Sequence, residues 1–145
     1  MPAILRILDD LTKRQPVSAT YFELWCRTYN NGFVRANQPR DMAFFSGFSG
    51  ERAERTWLSR IEKLHELGFI DIKEGPSGRV DYILIENPYA SLKRLRDQKK
   101  IPERFWNALL ARMDEIGAED LDDDTEDADE GREQAEVEQA AKAVA

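Results

Sequence analysis

The sequence predicts a mainly α fold with a small β-hairpin, and three observations carry that expectation. Apolar side chains recur every three or four residues through successive stretches of residues 1–118, the spacing of one helix face. A single pair of short runs, 69–73 and 79–85, flanks a turn containing Gly and Pro. The third observation is charge segregation. The 145-residue chain has 28 acids against 21 Lys and Arg, a net charge of −7. Twelve of the acids fall in residues 119–145, where Arg132 and Lys142 are the only bases, so this segment carries −10. Residues 1–118 are mildly basic at +3 and hold all 14 aromatics. The expected organisation is one domain over 1–118, with a central motif at 41–85 and C-terminal helices at 88–117, followed by an acidic tail at 119–145. That tail has only Leu121, Val137 and Val144 as large aliphatics. It cannot bury enough surface to offset its chain entropy, so disorder is expected, with a transient helix favoured near its Ala-rich end.

The elements follow in order. Ile4, Leu5, Ile7, Leu8 and Leu11 place a first helix over 3–14, ended by Pro16. Thr20-Tyr21-Phe22-Glu23 has the form of a capping box, with Ser18 as the competing cap. The second helix then carries Tyr21, Phe22, Leu24, Trp25, Thr28 and Tyr29, and Asn30-Asn31-Gly32 closes it. Cys26 inside it reads as a buried structural thiol. Residues 32–40 connect onward, with a short strand at 33–35, and a short helix covers 41–46. Gly47-Phe48-Ser49-Gly50 turns the chain. Ser49 is placed to cap a long helix over 50–67, with Glu51 favourable in its first turn and Gly68 just past its end. The hairpin comes next, turning at Glu74-Gly75-Pro76-Ser77-Gly78. Asn87-Pro88 stops its second strand and opens a helix with Tyr89, Leu92 and Leu95. Pro102 suits the first turn of a last helix bearing Phe105, Trp106, Leu109, Leu110, Met113 and Ile116.

Composition argues against most enzyme classes. One Cys and one His cannot supply the three or four ligands of a Cys/His zinc site, and any Ser-His or Cys-His catalytic pair would have to run through His65. No phosphate-binding loop or metal cluster is evident either, and although carboxylates alone could form a site, the concentrated ones lie in the acidic tail, so the expectation is a protein that is not an enzyme and uses no metal or cofactor. A lone thiol forms no internal disulfide and fits a reducing compartment such as the cytoplasm. The first ten residues already contain acids and do not read as a secretory signal, and no apolar run approaches a membrane span.

Residues 41–85 resemble the winged helix-turn-helix family. The resemblance rests on Ala43, the turn Gly47-Phe48-Ser49, the long helix with Trp57, Ile61 and Leu64, and Leu67-Gly68-Phe69-Ile70 leading into the hairpin. It covers about a third of the chain. It implies DNA binding, with the long helix in the major groove and the hairpin as a wing beside it. Some relatives in that family use the same fold to bind protein only.

The residues can be read independently of that likeness. On a wheel of about 100° per residue, Ala53, Trp57, Leu58, Ile61, Leu64 and His65 share one arc of the 50–67 helix. The other arc holds Arg52, Arg55, Thr56, Ser59, Arg60, Glu62, Lys63 and Glu66. Arg52, Arg55, Thr56 and Ser59 are the candidates for base-edge contact, because Arg reads guanine with two hydrogen bonds and hydroxyls bond several partners. Arg60, Lys63, and the wing residues Lys73 and Arg79 are candidates for phosphate. Helix cations also read as a solvated face paired with acids, as in Glu51–Arg55. His65, at the edge of the apolar arc, reads as a half-buried, hydrogen-bonded core residue. Lys93, Arg94, Arg96, Lys99, Lys100 and Arg104 make 93–104 a second basic cluster of net +4, suited to phosphate or to the chain's own acidic tail. The apolar stripe of the last helix needs cover, from the first helix or from a second copy in a homodimer. The functional expectation is a repressor-like transcriptional regulator bound to double-stranded DNA. The competing expectation is a protein-interaction module, or an accessory factor in plasmid or phage replication or maintenance. The tail would solubilise, compete with DNA or recruit a protein partner.

Overall fold

A computed structural model describes residues 1–28 and 30–117. The disorder and transient helix expected of 119–145 lie outside the described residues, as does Tyr29. Among the described residues the fold is mainly helical, with six α-helices and a small three-stranded antiparallel sheet. The helices are α1 (Pro2–Leu11), α2 (Ser18–Arg27), α3 (Pro39–Phe45), α4 (Ala53–Glu66), α5 (Pro88–Asp97) and α6 (Glu103–Ile116). The strands are β1 (Phe33–Arg35), β2 (Ile70–Gly75) and β3 (Gly78–Ile85), in the order β1-β3-β2. No helix among the described residues is long and apolar enough to cross a membrane.

The core forms where the periodic apolar faces meet. Trp57, Ile61 and Leu64 of α4 are buried with Tyr21 and Leu24 of α2 and Met42 and Ala43 of α3. In the sheet, Val34, Ile72 and Ile83 stand in register across the three strands, and Ile70 lies opposite Ile85. Phe69, fully buried, packs its ring edge-on against Tyr21 with centroids 5.7 Å apart. Burial pushes the Tyr21 phenol up to about 12, an effect that the neighbouring Trp25 indole partly offsets. Part of the stripe on α6 is covered inside the chain: Trp106, Leu109 and Met113 are buried in one cluster with Ile4, Ile7 and Leu8, and α6 packs on α1, while Leu110 and Ile116 stay exposed.

Several local expectations need correction. The first helix ends at Leu11, short of residue 14. Thr12 leaves helical geometry at φ −127°, and its hydroxyl donates to the Leu8 carbonyl at 2.6 Å. The capping box at Thr20 does not form. Instead α2 begins at Ser18, whose N–H and hydroxyl both donate to the Asp9 carboxylate of α1, at 3.1 and 2.7 Å. A carboxylate from a neighbouring helix thus does the work expected of a local cap. Cys26 is exposed because α2 buries Thr20, Tyr21 and Leu24 and turns the other side outward.

The long helix starts three residues later than expected, and Ser49 does not cap it. Gly50 takes φ +87°, a left-handed conformation that cannot sit inside a helix, so Glu51 and Arg52 remain in the turn. Leu58 is 39% exposed although it lies on the apolar arc. His65 is not a core-edge residue: its side chain is 49% exposed, with Nε2 3.5 Å from Asp71 Oδ1. Gly68 reverses the chain and brings the start of β2 alongside the last turn of α4.

The hairpin is tighter than the five-residue turn expected. Gly75 pairs with Gly78, leaving Pro76 and Ser77 at the tip, after a register irregularity between Lys73 and Gly75. The reason is Asp81. Its fully buried carboxylate accepts the Ser77 N–H at 3.3 Å. A Cβ at position 75 would lie 2.1 Å from that carboxylate, so only Gly fits. The run at 33–35, read as a short strand in a connection, pairs with β3 and widens the hairpin into a sheet.

Candidate nucleic-acid interface

The turn after α3 and the first turns of α4 place the candidate reading residues. Ala53 N–H bonds back to the Gly50 carbonyl at 3.3 Å, and Thr56 N–H to the Arg52 carbonyl at 2.9 Å. These bonds hold Arg52 at the mouth of the helix. Arg52 and Arg55 are exposed and make no ion pair among the described residues. The Glu51–Arg55 pairing that would have neutralised this end does not form. Thr56 and Ser59 are half-buried on the same arc. This patch offers two guanidinium forks and two hydroxyls, with Glu51 and Glu54 exposed beside them.

Further along α4 the cations are engaged. Arg60 lays its guanidinium over the Phe48 ring at 5.6 Å, pinning the turn to the helix. Lys63 pairs with Glu66 at 3.3 Å. Arg79 reaches from β3 to Glu62 at 2.9 Å, bridging hairpin and helix. Both acids of the C-terminal half of α4 are therefore countered by neighbours. Lys73 on β2 is exposed and unpaired among the described residues. Across the strands it faces Tyr82, which in turn lies opposite Arg35.

The second basic cluster divides. Arg94 donates to the Gly68 carbonyl and to Ser91 Oγ, both at 3.2 Å, and Ser91 itself donates to Gly68 at 2.7 Å. Arg96 lies over the Trp106 ring at 4.7 Å, and Arg104 over Phe105 at 4.9 Å. Lys93 is half-buried and has an interaction partner. Lys99 and Lys100 are exposed, Lys99 at φ +57° in the turn after α5.

Two features were missed in the sequence. Lys13 and Arg14 lie with Lys63 around a cleft of about 440 Å³ between the end of α1 and α4. The signal was available: apolar periodicity stops at Leu11, leaving a basic pair in a loop. Phe44 and Phe45, at the end of α3, are 66% and 63% exposed, with the Arg27 guanidinium 5.7 Å from the Phe45 ring. Periodicity had no means of predicting two adjacent exposed aromatics. Among the described residues, no group of three or more His, Cys, Asp or Glu side chains is placed to hold a metal ion. No family model, curated protein or solved structure matches this chain.

Proposed function

We propose that the chain is a winged-helix DNA-binding protein acting as a repressor-like regulator. The observation that carries this reading is the element order α2-β1-α3-α4-β2-β3, with Arg52 and Arg55, unpaired among the described residues, at the outward mouth of α4. Helix, short strand, helix, turn, long helix and hairpin is the arrangement in which a recognition helix lies flanked by a wing. On this reading Arg52, Arg55, Thr56 and Ser59 meet base edges, and Lys63 and Lys73 meet phosphate. Selection from a random pool of duplexes tests it. Absence of any enriched sequence, with affinity weaker than about 10⁻⁶ M at physiological salt, would overturn it.

A second reading, a protein-interaction module or replication accessory factor, is favoured by one observation. Glu51 and Glu54 stand unpaired among the described residues beside the reading residues, where Phe44 and Phe45 are also exposed nearby in sequence. Loss of function in R52A/R55A with unchanged DNA binding would favour this alternative.

A further inference from the structure

We propose that the cleft formed by Lys13, Arg14 and Lys63 is a phosphate-binding site that grips the DNA backbone beside α4. This rests on the duplex-binding reading above. Three cations line the cleft against one acid, Asp10, and Gln15 adds a neutral donor. The ion pairs inside it are weak ones. Lys13 Nζ is 3.7 Å from Asp10, with the Lys side chain 77% exposed, and the Lys63–Glu66 pair is also exposed. Arg14 has no ion pair among the described residues. Its planar fork suits two phosphate oxygens at once. The two residues follow the C-terminal end of α1, where the helix dipole favours cations and so helps hold them in place.

The position of Lys63 selects phosphate rather than base. It lies on the same arc of α4 as Thr56 and Ser59, and about 15 Å along the axis from Ala53, the first residue of α4, at 1.5 Å per residue. The major groove is only about 12 Å wide. With the start of α4 at the base edges, a helix crossing the groove leaves it before Lys63. The cleft then stands over the phosphate ridge, and α1 extends the contact beyond the reading helix and wing.

The test uses the full chain and a duplex enriched from the random pool, with affinity measured at several KCl concentrations. The K13A/R14A variant is expected to bind about tenfold more weakly near 0.1 M salt. Its salt slope should be shallower by about 2, since each lost phosphate contact removes roughly 0.9. Sequence preference and thermal midpoint should not change, and K13R/R14K should keep the wild-type slope. Unchanged affinity and slope in K13A/R14A overturn this inference and leave the duplex reading standing. Weaker binding with an unchanged slope also overturns it. A gain in affinity overturns it too, because it would place the chain's own acidic residues 119–138 in the cleft. If the wild-type chain binds no duplex, both readings fall together.

Discussion

The start of α4 and the 93–104 segment look alike as sequence, since each sets several cations within a dozen residues. Their structures assign those cations to different tasks. Arg52 and Arg55 project from the mouth of α4 without ion pairs among the described residues. Arg94 fastens α5 to the Gly68 carbonyl, and Arg96 and Arg104 cover the aromatic rings of α6. Arg52 and Arg55 in the first place are available to a partner, and in the second Arg94 and Arg96 are committed to contacts between elements while Lys99 and Lys100 stay exposed. A count of charge therefore measures potential attraction only after the internal uses of each side chain are removed.

Substitutions should separate the two places, beginning with the largest effect. R52A/R55A is expected to weaken binding to an enriched duplex by about thirtyfold to over ten-thousandfold, at about 1–3 kcal/mol for each of the two base contacts. Its thermal midpoint should stay within a degree or two of wild type, as calorimetry would record. In the core Tyr21 is raised from 10.0 to about 12 by burial. The unfolded chain ionises this group first, so stability is unaffected below pH 10 and falls as pH rises from 10 to 12. The expected loss is about 2–3 kcal/mol. Urea midpoints of wild type and Tyr21→Phe should diverge across that window, with the variant spared.

In the committed segment the expected pattern reverses. Arg94→Ala should lower stability by about 1 kcal/mol, because two hydrogen bonds from a charged group are lost at a partly hydrated site. Duplex affinity should change less than threefold. Equal losses of affinity in Arg94→Ala and Arg55→Ala would erase the distinction between the two regions. Arg96→Ala should have the smallest effect, about 0.5–1 kcal/mol from the contact with Trp106, and a small shift in the thermal midpoint would detect it.

Much of the fold was legible in the residues. The periodic faces of α1, α2, α4 and α6 placed Ile7, Leu24, Trp57, Ile61 and Trp106 in the core, and all are buried. Helical spacing depends on side-chain order alone, so a sequence displays it directly. Helix starts were less legible. The carboxylate at the start of α2 comes from Asp9, nine residues upstream of Ser18 and on another helix. Ser49 had the right chemistry for a cap, but Gly50 adopts a conformation that delays the helix.

For the candidate site, the sequence by itself pointed to the long helix and to candidates such as Arg52, Arg55, Lys63 and Lys73, and left out Lys13 and Arg14. It also determined that acid is concentrated after residue 118 while the preceding body is mildly basic. Only the tertiary structure decided which cations remain unpaired. Arg79 is tied to Glu62 seventeen residues earlier, and Arg94 to a carbonyl twenty-six residues earlier. Lys13 and Arg14 join Lys63 only because α1 ends beside α4. The physical reason is range. Amphipathic spacing is a property of neighbours along the chain, whereas electrostatic availability depends on whichever groups the fold brings within a few ångströms.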